Sequence, residues 1–305
     1  MSRPQTGEKV HTMKRRLYTV DVFTLKRFAG NPLAVVTDGD GLSSATMQAI
    51  AREMNLAETV FVKRPTNNRA LARLRIFTTT RELPFAGHPV VGTWFLLAEL
   101  GVVPAAEGRV HVLQQTGAGI LPVEITFHDG RPMHVTMTQK AAKFLPKRVN
   151  RAALAAALGL KPPDFDSKLP VEFVSTGLTN LLVPIARRAA LSRIEMNMRA
   201  LAAIVAPTGT MAYCFVLDGP AHAFSRGMLP WGIMEDPATG SASGSFGAYL
   251  VQHGRLHPGQ TLHITQGVEM GRQSEIQVEV NVERGKIVPK VSGSAVRVFE
   301  GLIEA

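Results

Sequence analysis

Cysteine is almost absent: Cys214 is the only one in 305 residues. That excludes an intrachain disulfide framework, a cysteine-built zinc site and an iron–sulfur cluster. It also points to a reducing compartment, read here as cytoplasmic. Cys214 stands in the apolar run 212–217 and reads as a small buried hydrophobe rather than a reactive thiol. Aromatic residues make up only 6% of the chain, and no stripe of Lys or Arg interleaves with them. Nucleic-acid binding is therefore not expected, despite a net charge of +10. Part of the excess charge lies at Lys9, Lys14, Arg15 and Arg16, and the rest is scattered. A small anionic substrate suits it equally well.

No segment reaches the ~18 consecutive apolar residues of a spanning helix, so no membrane partner is expected. Residues 1–16 are polar and have no apolar h-region, so they read as a flexible basic leader rather than a secretory signal. Met13, before a basic triplet, is a second candidate start. There is no P-loop, no Gly-x-Gly-x-x-Gly, no His-Glu-x-x-His and no Gly-x-Ser-x-Gly. His253 and His257 have helical ligand spacing, but Gly254 and Pro258 break a helix there. No metal site is expected.

What is present is an ordinary globular composition, 45% apolar and 19% charged, of a length that suits two domains or one large one. Strands and helices alternate from about residue 17. Ser44 is expected to cap a helix that Asn55 ends, with a strand over 59–62 immediately after it. Glu58 then sits at a helix-to-strand junction among Leu56, Ala57, Val60 and Phe61. A second helix is expected from Pro89 to Gly101, a third over 151–158 capped by Asn150, and a fourth over 198–205. The stretches 111–137 and 261–303 read as strands with glycine turns.

An internal repeat organises the chain. A shift of 153 residues lays Glu82-Leu83-Pro84-Phe85-Ala86-Gly87-His88 over Glu235-Asp236-Pro237-Ala238-Thr239-Gly240-Ser241. Five of twenty aligned positions are identical, ending with Gly101 over Gly254. The shared grammar is an acidic residue, Pro, Gly, a polar residue at a helix start, then a helix closed by Gly. A helix start leaves about four N–H groups unpaired and carries roughly +0.5 charge. Two of them facing across a cleft would grip a carboxylate; on spacing alone, two ordinary Gly-Pro turns into helices account for the pattern nearly as well. Glu58 in apolar surroundings has the raised pKa of a general acid or base, or else is a capping or ion-paired Glu. His88 and Asp236 flank the helix starts, where a His is also commonly structural. Ser241 also reads as an N-cap.

Several motifs resemble the PhzF family, named for phenazine biosynthesis. They are Asp21-Val22-Phe23-Thr24, Gly30-Asn31-Pro32-Leu33-Ala34-Val35-Val36, Asn55-Leu56-Ala57-Glu58-Thr59-Val60-Phe61, Pro84-Phe85-Ala86-Gly87-His88-Pro89 and Glu235-Asp236-Pro237-Ala238-Thr239-Gly240-Ser241-Ala242, with Gln266-Gly267 and Gly293-Ser294 later. The resemblance implies an α+β fold like diaminopimelate epimerase: two pseudo-symmetric halves, each a curved mixed sheet around a central helix. The halves are expected over 17–135 and 136–305, after a leader over 1–16, with the last strands free to cross back to the first half. A two-thiol racemase is excluded, because His88 and Ser241 hold the slots of the cysteine pair. The resemblance further implies a homodimer and cofactor-free isomerisation of trans-2,3-dihydro-3-hydroxyanthranilate. In it Glu58 is the acid/base, and His88, Asp236 and Ser241 position the substrate and share its protons. N–H groups near Gly87 and Gly240 would hold the carboxylate. Ala57 stands where the family commonly has Ser, and 222–233 lacks the usual Arg-x-Phe pattern, so the substrate differs more readily than the chemistry. A lyase using the same Glu58, or a non-catalytic binding protein of this fold, are the alternatives.

Overall fold

The computed structural model describes residues 13–231 and 234–305. Residues 1–12 of the expected leader lie outside the described residues. Lys14, Arg15 and Arg16 are already in a strand, opposite Glu304, Ile303 and Leu302. The sheet thus begins inside the stretch expected as leader, because its pairing partner comes from the far end of the chain.

The first half runs β1 (Lys14–Val22), β2 (Asn31–Val36), α1 (Ser44–Met54), β3 (Thr59–Lys63), β4 (Ala72–Phe77), β5 (Glu82–Leu83), α2 (Gly87–Glu99), β6 (Gly108–Thr116), β7 (Gly119–His128) and β8 (Arg131–Thr138). The second runs β9 (Lys143–Leu145), α3 (Arg151–Ala157), β10 (Glu172–Ser175), β11 (Thr179–Pro184), α4 (Arg188–Ser192), α5 (Met198–Val205), β12 (Ala212–Leu217), β13 (His222–Met228), β14 (Glu235–Asp236), α6 (Gly240–Gln252), β15 (Thr261–Gln266), β16 (Ser274–Glu283), β17 (Lys286–Gly293) and β18 (Ala295–Glu304).

One pairing order occurs twice. β2 is parallel to β3, β3 antiparallel to β4, and β4 both antiparallel to β5 and parallel to β6, which opens the meander β6–β7–β8. The series from β11 to β17 repeats this strand for strand. β8 and β17 pair antiparallel and join the halves, so the boundary expected between 135 and 136 falls inside β8. Two strands lie outside this repeat: β9, following β8, pairs with β10, and β18, following β17, crosses back to pair with β1 of the first half. The fold is α+β, of two pseudo-symmetric halves.

Each half wraps its sheet around one helix. α2 and α6 are 13 residues each, with both ends 153 residues apart. Every residue from His88 to Ala98 is buried, as expected of a helix with sheet on all sides. The packing is close enough to demand glycine: a Cβ on Gly92 would lie 2.5 Å from Val22 Cγ2, and one on Gly247 2.6 Å from Val278 Cγ1. α2 starts at Gly87, two residues before the expected Pro89. Proline is still tolerated at the third helical position, because the first-turn N–H groups have no intrahelical partner. Ser43, rather than Ser44, caps α1 by accepting from the N–H of Thr46. Cys214 is fully buried in the second-half core, which pushes its thiol up to about 12.

The turn before β2 sets the approach to the site. Gly30 has φ +66°, and a Cβ there would lie 2.4 Å from the carbonyl oxygen of Val22. Gly30→Ala is therefore expected to lower unfolding stability by more than about 1 kcal/mol, read as a drop in the urea midpoint at unchanged slope.

Candidate active site

The left-handed Asn55 (φ 50°) stops α1, and Glu58 follows as the last residue before β3. His88 is the second residue of α2, and its Nε2 lies 3.3 Å from Glu58 Oε2. Asn31, the first residue of β2, is buried and reaches across the halves. Its Nδ2 donates to Asp236 Oδ1 at 2.7 Å and to the carbonyl of Ala238 at 2.9 Å, and lies 3.4 Å from His88 Nδ1. Asp236 belongs to β14, and its Oδ2 accepts from Thr239 Oγ1 at 2.7 Å. Glu58, His88 and Asp236 thus form one largely buried cluster at the junction of the halves, with Asn31 between His88 and Asp236.

The two central helices meet head to head. A Cβ on Gly87 would stand 3.7 Å from the backbone N of Ser241 and 3.9 Å from the carbonyl carbon of Gly240. Gly87 and Gly240 are the first residues of their helices, and His88 and Ser241 the second. Thr239 therefore holds the cap position of α6, and Ser241 is not an N-cap. Gln139 Nε2 donates to the carbonyl of Gly240 at 2.9 Å and steadies this helix start. Phe23 wedges in from the end of β1. It is buried with φ 63°, a strained conformation for a bulky residue, and its ring fills the space above Gly240 and Gly293. Ala57, half-buried beside Glu58, contributes no polar side-chain atom.

Burial dominates the electrostatics. Removal from water raises the Glu58 carboxyl to about 8, and the charge of Asp236 adds to the rise. Burial lifts Asp236 as well, to about 6, while hydrogen bonds from Thr239, the Ala238 backbone and Asn31 hold it back. Burial lowers His88 to about 3, so its imidazole is neutral. Burial therefore favours the proton on Glu58 over Asp236 and keeps His88 neutral. Asn31 Oδ1, Glu58 Oε2 and His88 Nε2 are all buried without a hydrogen-bond partner among the described residues. The His88 and Glu58 atoms are close but not aligned for a hydrogen bond. Each orphaned group costs about 1–3 kcal/mol, which a bound polar ligand would recover.

The wall at 222–233 is structural where it is described. Arg226 clasps Glu235 through two bonds, Nε to Oε1 at 2.9 Å and Nη2 to Oε2 at 2.7 Å. Its Nη1 donates to the carbonyls of Leu191, Ser192 and Ile194. Met228 packs in the second-half core. Gly232 and Ile233 lie outside the described residues. Among the described residues, no helix is long and apolar enough to cross a membrane.

The model of the PhzC-PhzF family, described as phenazine biosynthesis-like protein, matches residues 20–301. The chain belongs to the PhzF family. It is 37% identical over 290 residues to the trans-2,3-dihydro-3-hydroxyanthranilate isomerase of Pseudomonas aeruginosa, across 94% of this chain and 98% of that one. The crystal structure of the Bacillus anthracis phenazine biosynthesis protein of the PhzF family matches it with a TM-score of 0.85 at 29% identity, across 95% and 99% of the two chains. A probable proline racemase from Agrobacterium radiobacter shares the fold, with a TM-score of 0.68 at 15% identity across 95% and 92%. Relatives at this coverage carry isomerase names, and this PhzF-family protein is an isomerase.

Proposed function

We propose that the protein isomerises a small carboxylate of the trans-2,3-dihydro-3-hydroxyanthranilate type by moving one proton between two carbons, with no cofactor. The observation that carries this reading is the juxtaposition of Glu58, His88 and Asp236 in one cluster at the junction of the halves, where Glu58 Oε2, His88 Nε2 and Asn31 Oδ1 lack partners among the described residues and burial raises Glu58 further than Asp236. Two carboxyls whose surroundings separate their pKa values are suited to opposite proton roles. Glu58 delivers its proton to one substrate carbon. As the resulting carboxylate it takes back the proton released from another carbon, so the proton count closes and no electrons leave. The anionic Asp236 stabilises the positive charge that develops when carbon is protonated. Neutral His88, its Nε2 3.3 Å from Glu58 Oε2, stands beside that carboxyl without adding charge. The N–H groups opening α2 and α6 hold the substrate carboxylate. Ser241, on the second residue of α6, offers its hydroxyl to the same group.

The pH dependence follows with a definite sign. Turnover needs Asp236 ionised, so kcat/KM falls as pH drops through about 6. It also needs Glu58 protonated, so kcat/KM falls again as pH rises through about 8. The expected profile is a bell between those limbs. A rate rising through pH 9 contradicts the acid-first role of Glu58. The function itself is tested by incubating the purified protein with trans-2,3-dihydro-3-hydroxyanthranilate and following substrate loss by chromatography. No conversion by folded protein rejects this substrate.

A further inference from the structure

Behind Asp236 lies a second, fully buried polar layer that the proposed chemistry does not use. Gln266, the last residue of β15, is 0% exposed. Its Nε2 donates to the carbonyl of Asp236 at 2.7 Å and to Thr239 Oγ1 at 2.9 Å. Its Oε1 accepts from the N–H of Thr239 at 3.2 Å and from Tyr213 Oη at 3.1 Å. Two main-chain groups fix which end of this amide is which. The Asp236 carbonyl can only accept and the Thr239 N–H can only donate, so a flipped amide would face both with the wrong polarity.

That orientation dictates a direction further on. A hydroxyl carries one hydrogen. Thr239 Oγ1 is occupied on one side by the Gln266 Nε2 donor, so its own hydrogen must go to its remaining neighbour, Asp236 Oδ2, at 2.7 Å. Asp236 Oδ1 meets the equally obligate donor Asn31 Nδ2. Donors of fixed direction therefore meet both oxygens of Asp236, and such bonds favour the carboxylate over the acid. The charged or titratable groups around Asp236 are Glu58 and His88 from the first half, Glu235 on its own strand and Tyr213 on β12. None of these is a cation at pH 7. The packing leaves no slack: a Cβ on Gly227 would lie 2.8 Å from Thr239 Oγ1 and 3.0 Å from Gln266 Nε2.

We propose that Gln266 is a positioning residue that sets the hydrogen-bond direction of Thr239 and so keeps Asp236 ionised, leaving the mobile proton on Glu58. The relay is a property of the resting protein, whereas its consequence for turnover rests on the function proposed above. Gln266→Glu keeps the shape but turns the donor into an acceptor. The Thr239 hydrogen then swings away from Asp236.

The test is a 13C NMR titration of protein labelled at the aspartate carboxyl carbon, with Asp236 identified by the signal lost in Asp236→Asn. Gln266→Glu is expected to raise the Asp236 titration by about one to two pH units, the size of one lost hydrogen bond to a charged group. Thr239→Val should raise it similarly, and Thr239→Ser should leave it in place. In the Thr239→Val background Gln266→Glu should add much less than it does alone. An equal increment in both backgrounds means plain charge repulsion, and the relay is wrong; no increment in either overturns it too. Should Gln266→Glu fail to fold, Gln266→Met removes the donor without adding charge, and a smaller upward shift is expected from it; an unchanged titration rejects the proposal. With the carboxylate less available, the acid limb of kcat/KM should move up by the same amount. If the titration moves while the limb stays, the relay stands and the catalytic role of Asp236 fails.

Discussion

Glu58→Gln is expected to lower turnover by about 10²–10⁴-fold, the usual contribution of a general acid/base. It should leave the fold intact and make the protein more stable at alkaline pH. The sign follows from proton linkage. The folded protein holds the Glu58 proton up to about 8, whereas the unfolded chain releases it near the ordinary 4.5. Stability is therefore complete below about 4.5 and is lost as pH rises through about 8. Glutamine cannot ionise and carries no such loss. Thermal denaturation should show the two proteins nearly equal at pH 5 and the variant several degrees higher at pH 8.5. A variant that is inactive and equally destabilised at both pH values would make Glu58 a structural residue.

Arg226→Leu is expected to cost about 3–5 kcal/mol in unfolding free energy, because it strands Glu235 as an unpaired buried charge. The molecule supplies its own control. Arg75 clasps Glu82 in the first half with the same two bonds, Nε to Oε1 at 2.8 Å and Nη2 to Oε2 at 2.6 Å. Each clasp ties together the hairpin that leads into a central helix. They differ in surroundings: the Glu82 side chain is 40% exposed and the Glu235 side chain 12%. Arg75→Leu leaves a carboxylate that water can reach, and about 0–1 kcal/mol is expected. Urea unfolding of the two variants side by side measures the contrast. Equal losses would mean that burial does not decide the strength of these clasps. Because Glu235 adjoins Asp236, Arg226→Leu should also disturb turnover, while Arg75→Leu should not.

The clasps also show how far the sequence can be read. The shift of 153 residues aligns Glu82 with Glu235 and places both central helices correctly, since helix length and spacing are local properties. The partner arginines are 151 residues apart. A difference of two residues in the connections hides them from a fixed shift, although the folded hairpins are equivalent. The helix over 198–205 and its neighbour capped by Asn150 were legible from spacing and capping chemistry. The Glu58 environment was legible from its apolar neighbours, but its approach to His88 depends on pairings between strands far apart in the chain. Asn31 was hidden for a related reason. Nothing local to its motif says that a residue 205 positions away supplies the carboxylate it holds. The pairings of β9 with β10 and of β18 with β1 carry no local signature at all.

The most direct test of the central claim, that Glu58 carries the proton, is proton NMR of trans-2,3-dihydro-3-hydroxyanthranilate with the protein in D2O, beside Glu58→Gln. Wild-type protein should consume the substrate signals and produce those of an isomer, and the folded variant should leave the spectra unchanged. Conversion by Glu58→Gln at the wild-type rate would contradict that claim.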